Sequence, residues 1–344
     1  MAAFTSINDP SVYFNTVLYT GTGSSQSITG VGFAPDLVWA KQRNGTNAHM
    51  VADTVRGADN KINPNQNYAN DTNAVSLTAF GADGFTGGGN TEMNGSSLTY
   101  AAWNWIAGTT SGITGGGITP NGYSINTTTG IGIFEYTGSS STSNIAHGLG
   151  VVPQMIIIKS LTTTNDWTCY HEAMGNDKFL TLNTSGQETT DATTWDSTSP
   201  TSTLWYMGDS GDVNNSARDY MAYVFANVKG YSRFGEYIGN ADVDGPTIYT
   251  GFRPAWVMIK GYDASALSWY LWDSKRLGYN PDNNVLYPNG ANAESTTDQI
   301  HLLSNGFKFI TTDSEINGSG TKYIYAAFAE APFVNSSGVP VNAR

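Results

Sequence analysis

The side chains in this sequence best able to do chemistry are carboxylates placed beside tyrosines. Glu135 and Glu236 each directly precede a Tyr-x-Gly turn, Tyr136-Thr137-Gly138 and Tyr237-Ile238-Gly239, while the matching turn Tyr19-Thr20-Gly21 follows Leu18. Glu172 stands next to His171. Two carboxyl groups flanking a glycosidic bond can cleave it, one as acid and one as nucleophile or base. Glu172 is the best single candidate for the acid. The plainer reading, which we prefer, makes all three solvated edge charges that keep one sheet from pairing with another.

Other reactive combinations are weaker. His49, His147, His171 and His301 have no His partner at helical spacing and no H-E-x-x-H motif, and they read as turn or surface residues. No Gly-x-Ser-x-Gly elbow supports a serine nucleophile. The run Asp209–Asn215 offers oxygen ligands at alternate positions, as a hard cation requires, but its spacing is not that of an EF-hand. Asp53/Arg56 and Asp273/Arg276 share an i,i+3 spacing that suits a local ion pair closing a turn. No catalytic residue, cofactor or metal ligand is assigned.

The remaining functional signal is aromatic. Trp167, Trp195, Trp205, Trp269 and Trp272 lie among Thr, Asp and Asn rather than in apolar runs. Flat aromatics edged by amides can grip sugar rings by stacking, so these five are the candidate glycan-binding residues. The competing reading, favoured for any one of them, is that they fill sandwich cores or inter-subunit contacts.

All of these residues are carried by a repeat. Gly32-Phe33-Ala34-Pro35-Asp36-Leu37-Val38-Trp39-Ala40-Lys41 returns as Gly150-Val151-Val152-Pro153-Gln154-Met155-Ile156-Ile157-Ile158-Lys159, and again as Gly251-Phe252-Arg253-Pro254-Ala255-Trp256-Val257-Met258-Ile259-Lys260. The lysines are 118 and 101 residues apart, a domain-sized period. Each lysine follows its Tyr-x-Gly tyrosine by 22, 23 and 23 residues and precedes a closing strand opened by Tyr100, Tyr220 or Tyr323. The lysine strand is apolar on both faces, so both must be covered, by an opposite sheet and by a loop or a neighbouring unit.

Composition sets the class. Charged residues make up 13% and aromatics 12%, against about 25% charged in ordinary soluble proteins. Many Gly, Asn, Thr and Ser complete an all-β profile. We therefore expect three tandem homologous antiparallel β-sandwich modules, jelly-roll or concanavalin-like, of roughly seven to nine strands each. The expected boundaries are 1–108, a Gly/Thr/Ser-rich flexible linker at 109–130, then 131–232, 233–333 and a tail at 334–344. Asp83-Gly84, Asn94-Gly95, Asn305-Gly306 and Asn317-Gly318 read as hairpin turns, and 48–56 and 273–277 as weak helices. A net charge of −12 argues against nucleic acid and anionic membranes as partners. One cysteine, Cys169, excludes an intrachain disulfide. The N-terminal residues lack a Sec-type signal, and no apolar run would insert in a membrane, so synthesis in a cytoplasm is expected.

The lysine-strand motif together with Asp53-Thr54-Val55-Arg56-Gly57, Ser304-Asn305-Gly306-Phe307 and Tyr323-Ile324-Tyr325-Ala326-Ala327-Phe328-Ala329-Glu330-Ala331-Pro332-Phe333 resembles the tandem modules of structural proteins from marine tailed bacteriophages. Those are tail-fibre or virion proteins with a concanavalin-like domain of unassigned role. The resemblance implies a non-enzymatic virion surface protein, a tail fibre or receptor-binding component that attaches to a host-surface glycan. Its partners would be other virion proteins, and a homo-oligomer, favoured as a trimer, is expected. The alternatives are a capsid or tail decoration protein and a virion-associated polysaccharide-degrading enzyme.

Overall fold

A strand apolar on both faces can be stable only in the middle of three layers, and this requirement organises the fold. The structure, a computed structural model, describes residues 5–72, 75–276, 280 and 284–341. It is all-β, with antiparallel sandwiches. One strand order occurs three times: opening strand, closing strand, lysine strand, fourth strand. The strands are Phe14–Thr20, Thr99–Trp105, Leu37–Gln42 and Met50–Asp53 in the first unit. In the second they are Ile131–Thr137, Asp219–Ala226, Pro153–Ser160 and Thr168–His171. In the third they are Ser232–Ile238, Lys322–Pro332, Phe252–Gly261 and Trp269–Asp273. A smaller sheet covers one face of each; in the third unit it is Thr247–Tyr249, Gly306–Phe309 and Ile300–Leu303.

Alternation divides the apolar side chains between two kinds of core. Val38 and Ala40, Ile156 and Ile158, and Val257 and Ile259 point into the sandwich of their own unit. Leu37 and Trp39, Met155 and Ile157, and Trp256 and Met258 point the other way, into one common core shared by all three sheets. The closing strands contribute Trp103, Tyr223 and Ala326 to that common core. A buried centre in each unit is therefore half of the arrangement. The other half is a centre no unit owns.

Several expectations are corrected. The stretch 109–130 is not a free linker: Gly122–Asn126 pairs with the opening strand Ile131–Thr137, and Ile118 and Ile125 are buried in the second core. The expected helix at 48–56 is the strand Met50–Asp53 followed by a turn, because alternate side chains there enter different cores. The second expected helix, 273–277, begins at the end of a strand, and its Leu277 lies outside the described residues. Asn94-Gly95 and Asn317-Gly318 end four-residue helices, Thr91–Asn94 and Ser314–Asn317, rather than turn hairpins.

The reason is a repeated polar knot. The Asn94 amide donates to the carbonyls of Ser24 and Gly88 and accepts from Thr22 N; Asn214 and Asn317 repeat this with Ser141, Gly208 and Ser139 N, and with Asp242, Thr311 and Asn240 N. Each asparagine precedes its closing-strand tyrosine by six residues, a spacing legible in the sequence. The tyrosines stack in pairs, Tyr19–Tyr100 at 5.1 Å, Tyr136–Tyr220 at 5.3 Å and Tyr237–Tyr323 at 4.9 Å. A Cβ at Gly21, Gly138 or Gly239 would come within 2.8, 2.7 and 2.7 Å of the asparagine carbonyl carbons, which is why each tyrosine turn carries glycine.

Candidate functional site

The five candidate glycan-binding tryptophans are all interior. Trp205 and Trp272 are 0% exposed and Trp167, Trp195 and Trp269 are 1% exposed, so none offers a ring face to a sugar. The polar neighbours in sequence misled because they are themselves drawn inside or hydrogen-bonded: Thr168 and Thr194, beside Trp167 and Trp195, are buried. Trp205 packs on Phe134 at 5.0 Å, Trp272 on Tyr270 at 5.5 Å, and Trp195 donates to the Lys178 carbonyl at 3.0 Å.

Trp167 and Trp269 do something different: they join units. Trp167 Nε1 donates to the carbonyls of Asn63 and Gln66 in the first unit, both at 3.0 Å. Trp269 Nε1 donates to the Thr181 carbonyl in the second at 3.0 Å. The equivalent position in the first unit is His49, whose Nδ1 accepts from Trp39 Nε1 at 2.9 Å. That bond leaves Nε2 to carry the proton and donate to the Tyr287 carbonyl of the third unit at 3.0 Å. Burial first, then the Lys41 charge, pushes His49 well below its usual pKa, consistent with this neutral tautomer.

A second ring runs in the same sense, four residues on. Tyr223 of the second unit donates to Asp53 Oδ2 of the first at 2.7 Å. Trp103 of the first donates to Asp273 Oδ2 of the third at 2.9 Å. Each aspartate also holds its arginine, Arg56 at 2.7 Å and Arg276 at 2.5 Å, in nearly or wholly inaccessible pairs. The expected i,i+3 ion pairs are thus present and close their local turns, with Arg56 N and Arg276 N donating to the same aspartates, which in addition join units. At the third joint His171 replaces the aspartate and Ala326 the aromatic donor. His171 Nδ1 accepts from Ala173 N at 3.2 Å, while its buried Nε2 makes no hydrogen bond of ordinary length, although the Tyr325 backbone is close enough to favour its protonation. Burial pushes His171 down to about 4.

A third ring is built on the backbone, reinforced at one joint by the bidentate Arg43–Glu294 ion pair at 3.0 Å. The carbonyl two residues after each lysine accepts from the next unit: Leu161 from Asn70 N at 2.9 Å, Tyr262 from Glu188 N at 2.8 Å and Arg43 from Glu294 N at 2.7 Å. Lys41, Lys159 and Lys260 themselves are 0% exposed and donate to loop carbonyls, Gln42, Ser160 and Leu267 among them. Burial lowers each to about 8.

The carboxylates have separate surroundings. Glu172 is exposed. Glu236 accepts from the Tyr262 hydroxyl at 2.8 Å. Glu135 is half-buried, and burial with Asp219 nearby raises its pKa. Asn214 in the candidate cation run is consumed by its three backbone bonds. Among the described residues no three His, Cys, Asp or Glu side chains converge on a metal-sized site. Contrary to the surface reading, His147 is buried too, holding Leu149 N and the Thr201 carbonyl.

Residues 9–332 match the family described as Domain of unknown function (DUF7483). The chain belongs to that family. No curated protein and no solved structure matches it. The family match spans all three sheets, so the DUF7483 unit is the whole three-part body and not one sandwich of it.

Proposed function

We propose that this chain is a non-enzymatic virion surface protein of a tailed bacteriophage that contributes to host attachment. The observation supporting this reading is that two of the three rings of contacts close within one polypeptide and the other is made at two of its three joints. Buried charge and aromatic area are invested in holding three similar sandwiches in a fixed cyclic arrangement. A rigid body with three related rims suits display and multivalent contact, where valency raises avidity without any new type of contact. In this reading the single chain supplies the threefold character, and it docks on other virion proteins as one subunit. Peptide mass spectrometry of purified particles tests it: the chain should be present at a fixed stoichiometry, and its absence from particles would defeat the proposal. A copy number in the hundreds per particle would favour the decoration reading.

A further inference from the structure

At the junction of the second and third units lies an open cleft of about 440 Å³ whose lining is opposite in sign to the chain's net charge. The chain has 28 acidic and 16 basic residues, yet the charged side chains lining this cleft, among the described residues, are Lys229 and Arg233. Both are exposed. Tyr249 lines the same cleft and is 64% exposed, the most open aromatic of the third unit's described residues.

The walls are rigid. Tyr249 ends the strand Thr247–Tyr249, and the turn after it is pinned to Asn305, whose carbonyl accepts from Thr250 N at 2.9 Å and Gly251 N at 3.2 Å. Gly251 has φ +84°, a conformation that glycine alone adopts without strain. On the other side Ser232 Oγ donates to the Ala226 carbonyl at 2.8 Å and accepts from Val228 N at 3.1 Å, fixing the turn that carries Lys229. Arg233 lies against the Tyr325 hydroxyl at its base.

We infer that this cleft binds a single carboxylated sugar residue, with Tyr249 under the pyranose ring and Lys229 and Arg233 on the carboxylate. The volume falls within the range of about 300–1,000 Å³ usual for small-ligand sites. An exposed phenol ring gives the C–H face of a sugar a flat apolar partner while its hydroxyl stays wet. A cation on a fixed turn beside one on a paired strand suits a carboxylate, and Arg can take it bidentately. A nucleic-acid strand would offer an aromatic site bases and phosphates too, but the net charge of −12 repels a polyphosphate over a longer footprint. The inference rests on the attachment reading and names the ligand class that attachment would use.

The test is saturation-transfer NMR and calorimetry on the full chain with methyl glucuronide, methyl glucoside, acetate and oligothymidylate as probes. The glucuronide should bind at least tenfold more tightly than the glucoside or acetate, and more weakly as salt rises. Tyr249→Ala and the double variant Lys229→Ala/Arg233→Ala should each lose at least tenfold while still unfolding cooperatively. Equal binding of both sugars, acetate binding as tightly as the glucuronide, preferential binding of oligothymidylate, or no glucuronide binding at 10-millimolar order would each overturn the inference. Particle mass spectrometry reports on the attachment reading independently, so a failed cleft and a failed virion assignment are distinguishable.

Discussion

Trp103 and Asp273 come from the first and third units and meet at 2.9 Å, with the Arg276 guanidinium 5.7 Å above the Trp103 ring and bonded to the same carboxylate. The contact is a desolvated three-member joint spanning 170 residues of chain. Its counterpart, Tyr223 with Asp53 and Arg56, joins the second unit to the first.

Removing one partner of a fully buried ion pair leaves the other charged and unsolvated, which costs about 3–5 kcal/mol. Asp273→Ala should therefore lower unfolding stability by at most about that amount, because Glu294 still meets Arg276 at 3.1 Å, with Arg276→Met added to it recovering part of the loss. Denaturant titration checks this. A loss below about 1 kcal/mol, the range of a surface pair, would show that the joint is solvated.

The His171 joint is expected to be the acid-sensitive one. Its folded pKa of about 4 lies below the usual 6.5, so the unfolded chain binds more protons between those values. The stability contribution is full above pH 6.5 and is lost as pH falls towards 4. Buried His49 and His147, also lowered, act in the same direction. Urea midpoints at pH 7 and 4.5 should fall less steeply for His171→Gln than for the natural chain. Equal slopes would mean that His171 is not shielded.

Lys41, Lys159 and Lys260 give a signature of the same sign on the alkaline side. With folded values of about 8 against 10.5 unfolded, each penalises folding below pH 8 and relents as pH rises towards 10.5. Tyr136, Tyr223 and Tyr237, raised by burial, reverse the trend above pH 10. Stability should climb between pH 7.5 and 9.5, and Lys159→Met should flatten that climb. A flat profile in the natural chain would refute the burial of these ammonium groups.

Because the three units are joined to one another within one chain, a sedimenting mass of 36.7 kDa is expected. A species of three times that mass would restore the homotrimer. The buried tryptophans should also resist acrylamide quenching and be indifferent to added sugars, whereas Trp167→Phe strands the Asn63 and Gln66 carbonyls and should cost about 1–3 kcal/mol.

The class of fold was readable because β-strands announce themselves locally: Met155 to Ile158 and Trp256 to Ile259 alternate between two apolar faces, and the Tyr-x-Gly turns mark where each sheet begins. The sequence also contained the six-residue spacing from Asn94, Asn214 and Asn317 to the closing tyrosines, although Asn-Gly alone pointed to hairpins. The glycan-site tryptophans were misplaced for a physical reason. Whether a ring on a two-faced strand meets solvent or a second layer depends on what arrives from far along the chain.

Local pattern thus determined the strands, the turns and the existence of three similar units, since these follow from side-chain alternation and backbone sterics within a few residues. Only the tertiary structure decided that the second faces would fuse into a common core, that Trp167, Trp269 and His49 would be equivalent joints, and that Lys229, Arg233 and Tyr249 would share a cleft. Those outcomes depend on contacts between residues as distant in sequence as Phe14 and Phe328, and no window of sequence contains both partners.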